Sequence, residues 1–211
     1  GLGSAKVDAM LRSKLDEMGK TEVEGAGTID VEYQVPFLMH ATLEPMNCTA
    51  HVTDNSCDVW VPTQNQDRCE SAAVDASGLS SDQVNIHTTL CGGGFGRRLE
   101  SDFVTQAVTI SRAVSKPVQV IWSREEDTRH GFYRPASMSR FQISIGTDGK
   151  PERWANQLAC PSVAATFFSP VAWFDFDPTT YEGAKPIPYT VRDFDMEYTN
   201  IEFGVPVGSL R

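Results

Sequence analysis

Apolar residues recur every three or four positions at Val7, Met10, Leu11, Leu15 and Met18, with Lys6, Arg12, Lys14, Asp16 and Glu17 between them. That is the period of a helix with one apolar face, and Gly19 supplies its stop. From residue 28 the period changes to two: Ile29, Val31, Tyr33 and Val35 share one side of a predicted strand that Pro36 closes. Residues 50–61 read as strands broken by a turn at Asp54-Asn55-Ser56, and residues 67–76 as a short helix ended by Gly78. Val84, Ile86, Thr88 and Leu90 alternate again and predict a strand over 84–90. Leu99, Phe103, Ala107, Ile110 and Val114 then fall in one narrow helical stripe, ended by Lys116-Pro117 before a strand over 118–122. The charged run over 123–130 reads as a solvated loop or a helix start. Phe141, Ile143 and Ile145 alternate ahead of Thr147-Asp148-Gly149-Lys150, an Asp-Gly hairpin turn that places a partner strand over about 151–159. Residues 194–203 read as a last strand. Between these strands, residues 160–188 lose periodicity, and Phe167, Phe168, Trp173, Phe174, Phe176 and Tyr181 stand among prolines. Those aromatics suit a loop folded down on itself, a pocket lining or a partner interface. The mixture of elements predicts an α+β fold, with mixed or antiparallel sheets and a few packed helices.

The stretch Leu90-Cys91-Gly92-Gly93-Gly94-Phe95-Gly96-Arg97-Arg98 falls at the corner between a predicted strand and a predicted helix. Glycines there can adopt positive φ and let another molecule approach the backbone. A helix N-terminus would add unpaired N–H groups and a positive dipole end, which suit a phosphate or an oxo anion, and Arg97 and Arg98 add positive charge. The motif is not a Walker A loop, which needs Lys-Ser/Thr after its last glycine, and it ends one residue short of a dinucleotide fingerprint. The bland alternative is a tight turn with a packed phenylalanine. His40 and Glu44 are four apart and would share a face of a helix, although a hydrogen-bonded core histidine explains His40 equally well. Asn47-Cys48-Thr49 matches a glycosylation sequon.

The 211 residues suffice for one or two domains, and the net charge of −10 argues against general nucleic-acid binding, which relies on basic patches. No run approaches the ~20 apolar residues that cross a bilayer. Residues 1–20 lack the apolar region of a signal peptide. The five cysteines form no C-x-x-C pair, so a zinc or iron–sulfur site within the chain is not expected; a Cys48–Cys57 bridge is conceivable in an oxidising compartment.

Cys91-Gly92-Gly93-Gly94-Phe95-Gly96-Arg97-Arg98, the helical run after it, Lys116-Pro117-Val118 and Trp122-Ser123-Arg124-Glu125-Glu126-Asp127 together resemble the molybdenum-binding subunit of the xanthine dehydrogenase and aldehyde oxidase family. Pro36-Phe37-Leu38-Met39-His40-Ala41, Leu43-Glu44-Pro45-Met46-Asn47-Cys48-Thr49-Ala50, Gly131-Phe132-Tyr133-Arg134-Pro135 and Val205-Pro206-Val207-Gly208 with Arg211 look most like its isoquinoline 1-oxidoreductase branch. The resemblance implies hydroxylation of an N-heterocycle, or oxidation of an aldehyde, with water as the oxygen source. It implies a molybdenum-pterin cofactor, in the cytosine dinucleotide form, held by its dithiolene rather than by a protein ligand. It also implies a small partner (alpha) subunit carrying two [2Fe–2S] clusters. By the same resemblance, Gly93, Gly94, Phe95, Gly96, Arg97 and Arg211 contact the cofactor, with Gly94, Phe95 and Gly96 beside the metal's oxo group. Leu38 and Arg134 then line the substrate pocket. Leu38 stands where purine-oxidising members have a glutamine, which favours an apolar heterocycle. The family's catalytic glutamate lies in a motif further toward the C-terminus than residue 211, so no catalytic residue is assigned here and this stretch alone is expected to be inactive.

The chain is accordingly read as a piece of a longer large subunit, with an N-terminal helix and linker over 1–27, a cofactor-loop core over 28–160, and an aromatic, proline-rich segment and last strand over 161–211. The compartment stays open between periplasm and cytoplasm. The rival readings are a nucleotide-binding module built on the glycine corner, and a structural module that docks a partner through the aromatics.

Overall fold

A computed structural model describes residues 3–167, 177–180, 182–185 and 187–208. In chain order its elements are α1 (Ser4–Met18), β1 (Gly27–Val35), β2 (Leu38–Met39), β3 (Asn47–Val52), β4 (Cys57–Val61), α2 (Gln66–Ser77), β5 (Val84–Thr88), α3 (Asp102–Val114), β6 (Val118–Ile121), α4 (Arg124–His130), β7 (Tyr133–Arg134), β8 (Ser137–Ile145), β9 (Pro151–Cys160), α5 (Ala164–Phe167) and β10 (Asp193–Asn200). Single 3₁₀ turns occur at Ser81–Gln83 and Arg97–Leu99. The fold is α+β, with parallel and antiparallel pairs in its sheets. Phe168, Trp173, Phe174, Phe176, Tyr181 and Arg211 lie outside the described residues, as does the side chain of Phe167. No described helix is long and apolar enough to cross a membrane. The chain divides into two compact units, Gly1–Leu38 with Arg134–Val207, and Met39–Tyr133 with Gly208–Arg211.

The first unit is a sheet in the order β1-β8-β9-β10. The β8–β9 hairpin forms where the Asp148-Gly149 signal placed it, and Gly149 takes φ 77°. Strand β10 lies parallel to β9, with Phe194 beside Trp154. Helix α1 buries Val7, Leu11 and Leu15 against Ala136, Met138, Ala159, Ile201 and Phe203, and Gly19 at φ 74° ends it. The buried Arg140 guanidinium ties three elements together, reaching Glu32 Oε1 at 2.9 Å, Asp16 Oδ1 at 2.6 Å and the Leu15 carbonyl at 3.2 Å. Because Glu32 of β1 meets Arg140 and α1 on that side of the sheet, the apolar side of β1 faces away from the helix. Ile29, Tyr33 and Val35 are therefore exposed, although Tyr33 packs edge-on against Phe141 at 5.8 Å.

The second unit is a sheet in the order β5-β4-β3-β6. Helices α2 and α3 pack on it over a core that includes Met46, Val59, Val61, Ala73, Phe103, Val104, Val108 and Trp122. Asn65 caps α2 by accepting the Arg68 N–H, and Gly78 at φ 73° closes it. Three expectations need correction here. Strand β5 stops at Thr88, and Leu90 is 96% exposed instead of sharing the core face. Helix α3 buries Phe103, Val104, Ala107, Val108 and Ser111, while Ile110 and Val114 are exposed, so the true face is rotated from the apolar stripe. The rotation is held by Ser111, whose hydroxyl accepts the Val52 N–H at 3.0 Å and donates to the Lys116 carbonyl at 2.7 Å. Finally, all five cysteines are free thiols. The β3–β4 register sets Cys57 opposite Val52, so Cys48 and Cys57 do not meet as a bridge. Burial pushes the Cys48 thiol up to about 12 and that of Cys57 up to about 11, so both stay neutral. The charged run over 123–130 forms α4, with the Ser123 hydroxyl accepting the Glu126 N–H.

Candidate functional site

In the second unit the glycine stretch forms an exposed turn after β5. Gly93 and Gly96 both take φ 98°, and Phe95 takes φ 52°, a conformation rare for a residue with a side chain. Two of the glycines are needed for packing from inside the fold. A Cβ on Gly92 would strike the Glu44 side chain, and one on Gly94 would run into the Gln64 amide.

Those two side chains hold the turn from beneath. The Glu44 carboxylate accepts the Gly92 N–H at 2.8 Å, the Arg98 guanidinium at 2.8 Å and the Asn47 amide at 3.0 Å. The Glu44 main-chain N–H donates to the Gly92 carbonyl at 3.1 Å, so the two segments are clamped at backbone and side chain together. Gln64 Oε1 accepts the N–H groups of Gly96 at 3.1 Å and Arg98 at 3.3 Å. Arg98 is 0% exposed and donates to the carbonyls of Gly93 at 2.7 Å, Pro62 at 3.2 Å and Glu44 at 2.9 Å. Desolvation lowers its pKa, opposed by the charges of Cys91, Glu44 and Asp127. The N–H groups of Gly93, Gly94 and Phe95 have no hydrogen-bond partner among the described residues. The carbonyls of Gly92, Gly93 and Gly94 are taken by the Glu44 N–H, the Arg98 guanidinium and the Arg97 N–H, so the three N–H groups on the opposite sides of those peptides point away from these partners, next to a Phe95 ring that is half exposed.

This arrangement differs from the corner read in the sequence. Helix α3 begins only at Asp102, after the 3₁₀ turn Arg97–Leu99, so its dipole is not delivered at the glycines. Neither arginine presents its charge outward. Arg97 is 1% exposed and chelates Asp102 through two bonds of 2.8 and 2.7 Å. Its guanidinium lies 5.4 Å from the ring centres of Trp122 and Phe132 and 5.8 Å from that of Phe103. The bland alternative is also incomplete, since Phe95 is not packed away.

Of the other expected positions, Leu38 and Arg134 belong to the first unit. Leu38 is 45% exposed in β2. Arg134 in β7 donates from Nη2 to the Pro36 carbonyl at 3.0 Å, and its buried Nε has no partner among the described residues. Arg211 lies outside the described residues. The four-residue spacing of His40 and Glu44 is not a helical face, because residues 40–46 form no helix. Glu44 and Gln64 were not read as parts of the corner; no periodicity links positions so far from the glycines. No group of three or more His, Cys, Asp or Glu side chains among the described residues is placed to hold a metal ion. What the turn offers is N–H donors, and that chemistry suits an oxygen acceptor such as an oxo or phosphate group.

The chain is 36% identical over 115 residues to isoquinoline 1-oxidoreductase subunit beta of Brevundimonas diminuta, a match covering 54% of this chain and 15% of that protein. It is 29% identical over 137 residues to the aldehyde oxidoreductase molybdenum-binding subunit PaoC of Escherichia coli (strain K12), covering 62% of this chain and 19% of that subunit. Its fold superposes on quinoline 2-oxidoreductase from Pseudomonas putida 86 with a TM-score of 0.71 at 17% identity, over 89% of this chain and 24% of that one. The chain thus spans less than a quarter of the length of each of these proteins. The family model described as molybdopterin cofactor-binding domain matches residues 13–172, and the chain belongs to that family.

Proposed function

We propose that this chain is the part of a molybdenum hydroxylase large (beta) subunit that presents the Gly93–Gly94–Phe95 amides to the cofactor's oxo group. The observation that carries the reading is the set of three outward N–H donors, held in place by Glu44, Gln64 and Arg98, in a chain of the molybdopterin-binding family. When bound, a molybdenum-pterin cofactor, proposed to be the cytosine dinucleotide form, supplies two-electron oxidation with oxygen derived from water. The chain's own contribution is positional. The Gly93, Gly94 and Phe95 amides would donate charge-assisted hydrogen bonds to the cofactor's oxygen, and Gly96 at φ 98° lets the turn close around it. Arg97 would act from inside, fixing the turn to α3 through Asp102, and Arg211 is proposed to reach the cofactor as well. Leu38 and Arg134 would bound the substrate pocket. The proposed substrate is an N-heterocycle such as isoquinoline, hydroxylated next to the ring nitrogen, or an aldehyde. Electrons would pass to a small [2Fe–2S] subunit, and the catalytic glutamate would come from the remainder of the large subunit.

The test is Gly96→Val in the full-length enzyme. A β-branched side chain cannot take φ 98° without strain, so molybdenum content and turnover are expected to fall at least tenfold, while the hairpin at Asp148-Gly149 stays folded. A folded Gly96→Val enzyme with full metal loading and wild-type turnover would mean that the stretch is only a turn.

A further inference from the structure

We infer that Glu44 is a positioning residue for the outward amides of the glycine turn: its carboxylate sorts the turn's N–H groups into those held by the fold and those left for a ligand. The inference rests on the reading of the turn as an oxo-anion contact and adds the device that makes it one.

Seven consecutive residues, Gly92 to Arg98, carry N–H groups, and they divide by position. The first is taken by the Glu44 carboxylate at 2.8 Å. The N–H groups of Gly96 and Arg98 are taken by Gln64, and that of Arg97 by the Gly94 carbonyl at 2.8 Å. The three left over, at Gly93, Gly94 and Phe95, are contiguous. A contiguous run of outward amides is what an oxyanion needs, because successive N–H groups can converge on one acceptor. Removing the Gly92 anchor would let the start of the turn swing and redirect these N–H groups.

Glu44 does two things at once. One of its oxygens, Oε2, accepts both the Gly92 N–H and the Arg98 Nη2–H, each at 2.8 Å. Arg98 in turn donates to the Gly93 carbonyl at 2.7 Å, on the far side of the same peptide whose N–H faces outward at Gly94. The carboxylate thus sets the orientation of that peptide plane through the arginine. Asn47, held at the other carboxylate oxygen at 3.0 Å, fixes the rotation of the carboxyl group. The negative charge of Glu44 is offset by a guanidinium that is itself fully buried.

Positioning and plain electrostatics predict opposite outcomes, and the probe is sodium molybdate, a tetrahedral oxyanion, titrated into the isotopically labelled chain while amide resonances are followed. In the wild type, saturable shifts are expected at Gly93, Gly94 and Phe95, with none at Gly149. Glu44→Asp keeps the charge beside Arg98 but is one methylene too short to hold Gly92 as well, and is expected to weaken the response at least fivefold. Glu44→Gln keeps an oxygen acceptor for Gly92 and Arg98 while removing the charge; its NH2 group then faces Asn47, whose amide turns its oxygen to accept it, and the variant is expected to stay within about threefold of wild type. If Glu44 acted only by its charge, Glu44→Asp would match the wild type and Glu44→Gln would bind the anion more tightly; that pattern overturns the inference. Should Glu44→Gln not fold with the buried Arg98 charge left without a counter-charge, the folded Glu44→Asp variant decides alone. No response at Gly93–Phe95 in the wild type would instead refute the reading of the turn as an anion contact, a failure distinct from that of Glu44.

Discussion

At Asp177 a single carboxylate gathers donors from residues 162–164 and 179–180. It is fully buried and accepts the Ala164 N–H at 2.9 Å and the hydroxyls of Ser162 at 2.7 Å, Thr179 at 2.6 Å and Thr180 at 2.7 Å. Burial works to raise its pKa, but these donors together outweigh it and hold the group down at about 2. With the folded pKa below the unfolded value of 3.8, the stabilisation is fully present above that value and is lost as pH falls through 3.8 toward 2. The shift corresponds to roughly 2 kcal/mol. Asp177→Asn is therefore expected to lower the stability of the chain by roughly 1–3 kcal/mol at pH 7 and to flatten its acid limb, as measured by urea unfolding at pH 7 and pH 3. Nothing in the alternation of the chain marks this residue, since its donors come from a stretch without periodicity. Arg97 and Arg98 teach the same lesson from the other side. Their position in the motif was legible, but their inward orientation followed from acids placed elsewhere, Asp102 and Glu44.

Elements were more legible than the faces they bury. Helix α1 begins and ends close to where its apolar period and Gly19 put it, because local spacing alone decides which side of an isolated helix is apolar. The β8–β9 hairpin is equally local: two residues of turn chemistry set its position. Helix α3 differs, because its buried face includes Ser111, chosen by a hydrogen bond to β3 rather than by hydrophobicity. In β1 the alternation was right, yet the side that meets α1 is the polar one, where Glu32 pairs with Arg140. Glu32 itself is held below the usual carboxylate range, chiefly by the Arg12 guanidinium, with Arg140 adding to it against the opposing effect of burial. Arg140→Met keeps most of the side-chain volume but removes the links to Glu32, Asp16 and Leu15. It is expected to lower the urea midpoint by the equivalent of about 1–3 kcal/mol and to speed hydrogen exchange in α1, with exchange in the second unit serving as the internal reference. An unchanged α1 exchange rate would show that the apolar seam of Val7, Leu11 and Leu15 suffices on its own.

For the molecule as a whole, the family and its chemistry set one further expectation, which belongs to the proposed reading of the full-length enzyme. Leu38 offers no hydrogen bonds, and a purine edge left unpaired in a buried site costs about 1–3 kcal/mol per group. The parent is therefore expected to show kcat/KM for isoquinoline at least ~10-fold above that for hypoxanthine; a preference for hypoxanthine would remove Leu38 from the pocket. The sequence by itself determined the α+β class, most of the helices and strands, the hairpin, and, through the glycine stretch and its companion segments taken together, the resemblance to the molybdopterin-binding family. These are readable because periodicity, turn residues and short motifs are properties of neighbours in the chain. Only the tertiary structure decided that β1 pairs with β8 rather than with strands near it in sequence, and that the helix dipole is not delivered at the glycine turn. It alone decided which amides of that turn remain outward. The reason is physical: each N–H is claimed or left free by acceptors such as Glu44 and Gln64, which reach the turn only once β3, β4 and α3 have packed, and hydrogen-bond geometry of that kind depends on distances in space that spacing along the chain does not record.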